Sequence, residues 1–294
     1  FLTYTEYRPI GVCALLTPWN HPVLILVKKL AAALAAGNTI VIKPSELAPV
    51  SPLFIAAWSQ EAGFPAGTVN VVTGDAQTGA ALVSHSLVSR IDLTGGTATG
   101  RRVAAAAAER LVPCTLELGG KTPVLIFEDA KLEEAVAGAL FSAFVAAGQT
   151  CVSGARFLVQ KSVYDEFLSR LCDRVAKLRV GDPADERTDV GPVISEASRV
   201  RCMDFIEDAE AGGARLAYGG RPLQLEGSLK TGFYVPPTVF ADVTPSMRIF
   251  RNEVFGPVIS VTPFINEDEA IELANDSEFA LGAALWCRDI LRAH

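Results

Sequence analysis

The sequence predicts an α/β protein built on a parallel sheet, and two observations support that prediction. Short apolar runs of strand character alternate along the chain with longer runs of helical character. Glycine, proline or asparagine stands where several of these runs end. Such alternation is typical of parallel strands joined by crossover helices.

The elements follow in order along the first part of the chain. Strands are predicted at residues 10–16, 39–43, 69–72 and 90–93, and helices at residues 22–36, 52–62 and 100–109. A domain boundary is expected at residues 118–120, where two glycines follow a leucine.

The second part continues the same rhythm. Strands are predicted at residues 124–127, 155–160 and 258–263, and helices at residues 132–147, 162–178 and 267–275. Asp129 is expected to open the first of these helices and Ser162 to cap the second. Residues 212–229 are glycine-rich and polar, which indicates a surface excursion.

Composition limits the classes of function. The 294 residues predict two domains, and 26 basic against 33 acidic residues give a net charge of −7. An acidic chain argues against a nucleic acid or an anionic membrane as the main partner. The most apolar stretches are too short or are interrupted by Lys28 and Lys29, so no transmembrane helix is expected.

The cysteines and histidines limit the chemistry. The six cysteines lack metal-site spacing and suit free thiols in a reducing compartment, which predicts a cytoplasmic protein. Only three histidines are present, which argues against a Ser-His-Asp triad and against a multi-histidine metal site. No metal is therefore expected.

Four local patterns could carry chemistry. They are the stretches at residues 17–20 (TPWN), 43–46 (KPSE), 117–121 (ELGGK) and 148–151 (GQTC). The first two follow predicted strands, and ligands of open parallel sheets bind beyond the carboxyl ends of strands. This position makes both patterns candidates for a binding site.

Each pattern has a purely structural alternative. Cys151 could be a small buried hydrophobe, and Asn20 could be the cap of the helix that follows it. Lys43 and Glu46 could form a surface ion pair of little energetic consequence. Glu117 could simply end a strand. The local patterns taken singly leave these alternatives open.

Taken together, the motifs resemble those of the aldehyde dehydrogenase superfamily over nearly the whole chain, as non-acylating NAD(P)-dependent members. The six motifs, in the family's order, are Pro18-Trp19-Asn20, Lys43-Pro44-Ser45-Glu46, Thr94-Gly95-Gly96 with Gly100, Glu117-Leu118-Gly119-Gly120-Lys121, Gly148-Gln149-Thr150-Cys151 and Glu253-Val254-Phe255-Gly256-Pro257. An ordered set of this kind is far more specific than any single motif.

The resemblance implies a Rossmann-like parallel-sheet cofactor domain followed by an α/β catalytic domain. Residues 1–119 would form part of the dinucleotide-binding domain, with residues 1–8 as the remnant of an oligomerisation strand. Residues 120–294 would form the catalytic domain. Family members are longer at both ends, so a truncated chain is expected, and the full-length form is expected to be a homodimer or homotetramer.

The resemblance also assigns catalytic roles. Cys151 would be the nucleophile that attacks the aldehyde, and Asn20 would help to stabilise the resulting oxyanion. Glu117 would be the general base for the water that hydrolyses the thioester. Lys29 matches a family lysine near the site but ranks below these three residues.

The expected cofactor is NAD, and NADP stays an alternative. Glu46 would bind a free ribose 2′-hydroxyl and repel a 2′-phosphate, whereas Lys43 partly offsets that repulsion. Many members carry serine where Gly96 stands, so one hydroxyl contact is lost here while the backbone donors are kept. The residues expected to bind the cofactor are Trp19, Lys43, Ser45, Glu46, Gly95, Gly96, Leu118, Glu253 and Phe255.

The resemblance gives only a weak indication of the small-molecule substrate. The motif variants are similar to those of branches that act on aromatic aldehydes, including carboxylated ones. Lys28 falls where many members have a bulky apolar residue, which suggests the hypothesis that it pairs with a substrate carboxylate. The alternative for Lys28 is a lysine that faces solvent.

Two other functions remain as alternatives. A relative could transfer the acyl group to coenzyme A instead of water, although Glu117 speaks against that route. A non-catalytic member of the same fold could bind a dinucleotide or serve a structural role.

Overall fold

The computed structural model describes residues 1–227 and 229–294 and divides the chain into two compact units. The first unit comprises Phe1–Leu118 and the second Gly119–His294. This division lies one residue before the one expected from the sequence.

The first unit alternates strands with helices. Its strands are β1 (Val12–Thr17), β2 (Thr39–Pro44), β3 (Val69–Val71), β4 (Val88–Thr94) and β5 (Cys114–Glu117). Its helices are α1 (Pro22–Ala35), α2 (Val50–Glu61), α3 (Ala76–Ser84) and α4 (Thr97–Glu109). Helix α3 and strand β5 were not predicted.

The strands of the first unit form a parallel sheet in the order β3-β2-β1-β4-β5. Alternate residues of β1 face opposite sides of this sheet. Ala14 and Leu16 lie in a core cluster with residues of α3 and α4, whereas Cys13 and Leu15 lie in a second cluster with residues of α1 and α2. Helices therefore cover both faces, and β1 is buried along nearly its whole length.

The second unit also alternates strands and helices. Its strands are β6 (Pro123–Ile126), β7 (Arg156–Gln160), β8 (Arg215–Tyr218), β9 (Thr238–Ala241), β10 (Val258–Phe264) and β11 (Ala284–Trp286). Its helices are α5 (Leu132–Phe144), α6 (Tyr164–Val175), α7 (Glu196–Ala211), α8 (Arg248–Arg251), α9 (Glu267–Asn275) and α10 (Ile290–Ala293).

The second sheet has the order β11-β6-β7-β10-β9-β8. The described pairs from β11 to β9 are parallel, and β8 joins the edge antiparallel to β9. Strand β8 lies inside the segment that the sequence predicted to be a surface excursion. This strand was not predicted because the segment is polar. Its side chains are exposed or half-buried, as an edge position allows.

Two predicted helix starts were wrong. Asp129 does not open α5, because its carboxylate accepts the backbone amides of Arg288 and Asp289 at 2.8 and 3.1 Å. Ser162 does not cap α6, because its hydroxyl donates to the Glu128 carboxylate at 2.7 Å. Both side chains form hydrogen bonds with residues that are distant in sequence, so neither caps the helix that follows it.

Across the described residues, no helix is both long enough and apolar enough to cross a lipid bilayer.

Candidate active site

In the first unit, the predicted residues lie at the carboxyl edge of the parallel sheet. Asn20 follows β1, Lys43 lies at the end of β2, Gly95 and Gly96 follow β4, and Glu117 ends β5. Because the sheet order is β2-β1-β4-β5, these residues form a row along one edge. Neighbouring strands lie about 4.8 Å apart, so the strands before Asn20 and Glu117 are about 10 Å apart. This edge is where ligands of such sheets bind.

Asn20 is not the cap of the helix that follows it. His21 occupies the cap position of α1, and Pro22 is the first residue of that helix. Trp19 and Asn20 are both half-buried in the turn after β1. The structural alternative for Asn20 was therefore wrong, and its amide role stays a prediction.

Lys43 is buried, and its ammonium pairs with a carboxylate that lies at the surface. The Lys43 ammonium lies 3.4 Å from a carboxylate oxygen of Glu46, whose side chain is 59% exposed. The Ser45 amide donates to the Thr17 carbonyl at 2.9 Å, which ties this turn to the end of β1. A buried ammonium beside an exposed carboxylate presents both charges at one end of β2.

Helix α4 begins directly after Gly95 and Gly96. Gly96 occupies its cap position, and no side chain of the described residues caps that end. The first amides of such a helix are suited to bind a phosphate. A Cβ on Gly96 would have nothing within 4 Å, so this position has room for a larger side chain such as serine.

Glu117 and Leu118 end the last strand of the sheet. Glu117 is exposed and pairs in register with Thr94, and its carbonyl accepts the Gly95 amide at 3.0 Å. Leu118 packs against Gly100 of α4, where a Cβ would lie 2.5 Å from the Leu118 side chain. Gly100 thus allows α4 to approach the residue beside Glu117 closely.

In the second unit, the predicted residues precede three neighbouring strands. The glycines at 119–120 come before β6, Cys151 before β7, and Glu253 with Phe255 before β10. Since the sheet order is β6-β7-β10 and these strands are parallel, the three segments meet at the amino edge of that sheet.

Cys151 is half-buried and follows a strained turn. Ala146, Ala147 and Gly148 have φ angles of 51°, 54° and 71°, in the left-handed region. The Gln149 side chain stabilises this turn, since its amide donates to the Ala146 carbonyl at 3.0 Å and its oxygen accepts the Ile194 amide at 2.9 Å. Consecutive left-handed residues are costly and cluster at functional sites.

Gly148 and Gly256 form a close contact beneath this turn. A Cβ on Gly148 would overlap the Gly256 carbonyl, and a Cβ on Gly256 would overlap the Cys202 sulfur in α7. Gly148 thus packs directly on Gly256, and Gly256 packs directly on the Cys202 thiol. Neither contact leaves room for a Cβ.

Burial weakens three other thiols as nucleophiles. Burial raises the pKa of Cys13 and Cys172, and it raises the pKa of Cys202 to about 11. A thiol with a raised pKa is less often a thiolate near neutral pH.

Glu253 lies against the turn that contains the motif glycines. Its carboxylate accepts the Gly120 amide at 3.2 Å, and a Cβ on Gly119 would overlap the same carboxylate. Burial raises the pKa of Glu253, while the Gly120 hydrogen bond and the charges of Arg201 and Lys121 act to lower it. Phe255, two residues later, adopts a φ of 61°.

Two charged residues near these sites had no predicted role. Lys121 was quoted only as the last letter of its motif, yet it is almost completely buried. Asp92 was not singled out, yet it pairs with the buried Lys29. A charge inside a run of strand character is the signal that marks Asp92 in the sequence.

Comparisons with known proteins agree with the motifs. A family model described as "Aldehyde dehydrogenase family" matches residues 1–294. The chain is 47% identical over 291 residues to the betaine aldehyde dehydrogenase of Brucella ovis, which covers 99% of this chain and 60% of that protein. The chain thus spans about 60% of the length of the curated relatives it matches.

Solved structures give the same result. A point mutant of the Staphylococcus aureus betaine aldehyde dehydrogenase, in complex with NAD+ and with a BME-modified cysteine, matches with a TM-score of 0.94 at 42% identity. The match covers 97% of this chain and 58% of that one. An NAD-dependent aldehyde dehydrogenase from Sinorhizobium meliloti matches with a TM-score of 0.94 at 38% identity, over 97% and 56%. The predicted fold class is confirmed.

Proposed function

This chain belongs to the aldehyde dehydrogenase family, as its motifs predicted, and from that premise we propose that the whole protein oxidises an aldehyde to a carboxylic acid with NAD. The observation that carries the proposal is the row formed by Asn20, Gly95, Gly96 and Glu117 along one sheet edge. That row combines an amide donor, a phosphate-binding helix end and a carboxylate. These are the groups that the chemistry needs besides a thiol.

Cys151 begins the proposed reaction. Its thiolate attacks the carbonyl carbon of the aldehyde, and the carbonyl oxygen becomes an oxyanion on a thiohemiacetal. The Asn20 side-chain amide and the Cys151 backbone amide are the proposed donors to that oxyanion. Removal of one such donor lowers turnover on the order of 10²–10³-fold.

Glu117 completes the reaction. NAD, when bound, supplies the acceptor for the hydride that leaves the thiohemiacetal carbon, which turns that adduct into a thioester. Glu117 then takes a proton from water as the hydroxide attacks the thioester carbonyl. The carboxylic acid is released and the Cys151 thiolate returns. The exposed position of Glu117 at the end of β5 leaves it accessible to water.

The residues of the first unit suit a dinucleotide. The uncapped amino end of α4 offers amides to the pyrophosphate, and Lys43 with Glu46 offers a cation and a carboxylate to the adenosine ribose. The exposed Glu46 carboxylate favours the free 2′-hydroxyl of NAD over the 2′-phosphate of NADP. Residues 1–118 would then serve as the dinucleotide-binding part, and residues 119–294 would carry the nucleophile.

Betaine aldehyde is the proposed first substrate to test. The support is that relatives which share 47% identity with this chain are named betaine aldehyde dehydrogenases. The motif variants had predicted an aromatic aldehyde, and this remains the second candidate. Lys28 is exposed on α1, and a cation at the substrate would favour a carboxylated aromatic aldehyde over the cationic betaine aldehyde.

A single assay separates these candidates. The chain and its full-length form would be mixed with NAD and with betaine aldehyde, benzaldehyde, 2-carboxybenzaldehyde or an aliphatic aldehyde, and NADH absorbance followed. Cys151→Ala is the control. NADH formed by the parent protein and lost in the variant supports the proposal, and the aldehyde with the highest kcat/KM identifies the substrate class.

Other outcomes lead to different conclusions. NADH that forms only when coenzyme A is present would favour the acylating alternative. NAD binding, seen as a change of tryptophan fluorescence, without NADH from any aldehyde would favour a non-catalytic member of the family. An unchanged preference between benzaldehyde and 2-carboxybenzaldehyde in Lys28→Ala would exclude Lys28 from substrate recognition.

A further inference from the structure

Lys121 is a buried lysine in the turn between the two motif glycines and β6. It lies two residues before β6, and it is 2% exposed. Its ammonium nitrogen has no hydrogen-bond partner among the described residues. Burial of an ammonium is costly when neither water nor a protein acceptor replaces its hydration. A buried ammonium at this position therefore suggests that its charge acts on a nearby charged group.

The charges that act on Lys121 come from other elements of the second unit. Among the described residues they are Arg156 at the start of β7, Arg201 in α7 and Glu253 before β10. Arg156 donates to carbonyl oxygens at the end of α9, and Arg201 donates to backbone carbonyls at residues 253–254. Glu253 supplies the negative charge that attracts Lys121.

The turn that carries Lys121 also holds the Glu253 carboxylate. The Gly120 amide donates to this carboxylate at 3.2 Å, and the missing side chain of Gly119 leaves space for it. One turn thus supplies an amide donor, an open space and a neighbouring ammonium. The three contributions favour one ionised, fixed position of Glu253.

We propose that Lys121 is a positioning residue whose ammonium attracts the Glu253 carboxylate and helps to hold it against the Gly120 amide, and that it thereby sets the affinity for the cofactor ribose. The inference rests on the proposed function, and it takes Glu253, which the resemblance places among the cofactor-binding residues, to bind the nicotinamide ribose of NAD. Lys121 itself does not touch the cofactor in this proposal. It acts through the carboxylate alone.

The charge of Lys121 changes near neutral pH. Burial lowers the pKa of Lys121 to about 7, the charges of Arg156 and Arg201 act in the same direction, and Glu253 opposes them. As the pH rises above this value, the ammonium loses its proton and its attraction for Glu253. NAD affinity is therefore expected to fall as the pH rises through neutrality.

The test is the affinity for NAD, measured by tryptophan fluorescence on the full-length protein between about pH 6 and pH 9. The variants are Lys121→Arg, Lys121→Met, Glu253→Gln and the double variant Lys121→Met with Glu253→Gln. Lys177→Met, at an exposed lysine after α6, is the matched control. Circular dichroism checks that each variant is folded.

The proposal predicts a distinct result for each protein. The parent protein loses affinity with rising pH, Lys121→Arg binds tightly at every pH, and Lys121→Met binds on the order of tenfold more weakly at every pH. Lys121→Met has no further effect in the Glu253→Gln background, because the residue acts through that carboxylate. Lys177→Met behaves like the parent protein.

Two results would overturn the inference, and they are distinguishable. If the parent protein binds NAD with the same affinity at every pH and Lys121→Met is equally damaging with and without Glu253, Lys121 is only a packing residue. If the parent protein does not bind NAD at any pH, the proposed function itself fails. Should Lys121→Met not fold, the contrast between the parent protein and Lys121→Arg decides the question.

Discussion

Lys29 and Asp92 form an ion pair that joins helix α1 to strand β4. The Lys29 side chain is 6% exposed and that of Asp92 is 18% exposed, so water screens the pair only weakly. Helix α1 begins two residues after Asn20, and β4 ends just before Gly95. The pair therefore ties α1, which follows Asn20, to β4, which precedes Gly95.

Removing one partner of this pair should destabilise the protein strongly. Lys29→Met or Asp92→Asn alone is expected to lower the free energy of unfolding by about 3 kcal/mol, because each leaves a buried charge unpaired. The double variant should lose less than the sum of the two. Urea unfolding of the four proteins measures this coupling, and additive losses would show that the two charges do not interact.

Glu117→Gln should separate the two halves of the proposed reaction. The amide cannot accept a proton from water, so the thioester on Cys151 should form and then persist. The expected result is a burst of about one NADH per active site followed by slow turnover. Glu109→Gln, at an exposed carboxylate that ends α4, is the control and should turn over normally. A variant of Glu117 with full steady-state turnover would assign the base to another group.

Gly148→Ala should be far more damaging than a change at another left-handed glycine. Gly148 has a φ of 71° and no room beside the Gly256 carbonyl, whereas Gly213 has a φ of 87° and nothing within 4 Å of a Cβ. Gly213→Ala is expected to cost about 1 kcal/mol, from the backbone alone. Gly148→Ala should cost more than about 3 kcal/mol, because the turn must also move. Equal losses in thermal unfolding would contradict the close contact.

Lys121→Met should stabilise the folded protein in mildly acidic solution. The pKa of Lys121 is about 7 when folded, below its ordinary value of 10.5, so between these values the unfolded chain binds more protons. Stability of the parent protein should therefore rise with pH across this window, by at most about 1.4 kcal/mol per pH unit. The Met variant should lack that rise and be the more stable protein below about pH 7. Parallel stability curves for the two proteins would exclude a buried charge at this position.

Part of the row of site residues at the carboxyl edge was predictable from the sequence, because the segments with Asn20, Lys43 and Gly95 each follow an apolar run predicted as a strand. Strand β5 was not predicted, so the place of Glu117 in this row was not predictable. The order of the strands that aligns them was not predictable either. Helix α3 was missed because Gly79 interrupts its sequence pattern, although a Cβ there would make only an ordinary contact with Leu16 and nothing in the structure requires a glycine.

The second unit was harder to predict because its constraints act between distant segments. Helix α7 was missed because its apolar residues do not all lie on one face. Cys202, Phe205 and Ile206 are buried, whereas Val200 is exposed. The contact of Gly120 with Glu253 joins residues 133 positions apart. Spacing along the chain does not predict such a contact, so the charges around Lys121 could be identified only from the folded structure.

The stack of Gly148, Gly256 and Cys202 has a consequence for chemical labelling. Cys202 is buried with a pKa of about 11, so alkylating reagents reach it only when α7 opens. Any adduct there would press on Gly256 and, through it, on the turn that leads to Cys151. If the protein has the proposed function, we expect loss of activity on alkylation in two phases: a fast phase from Cys151, and a slow phase from Cys202 that is set by local opening of α7.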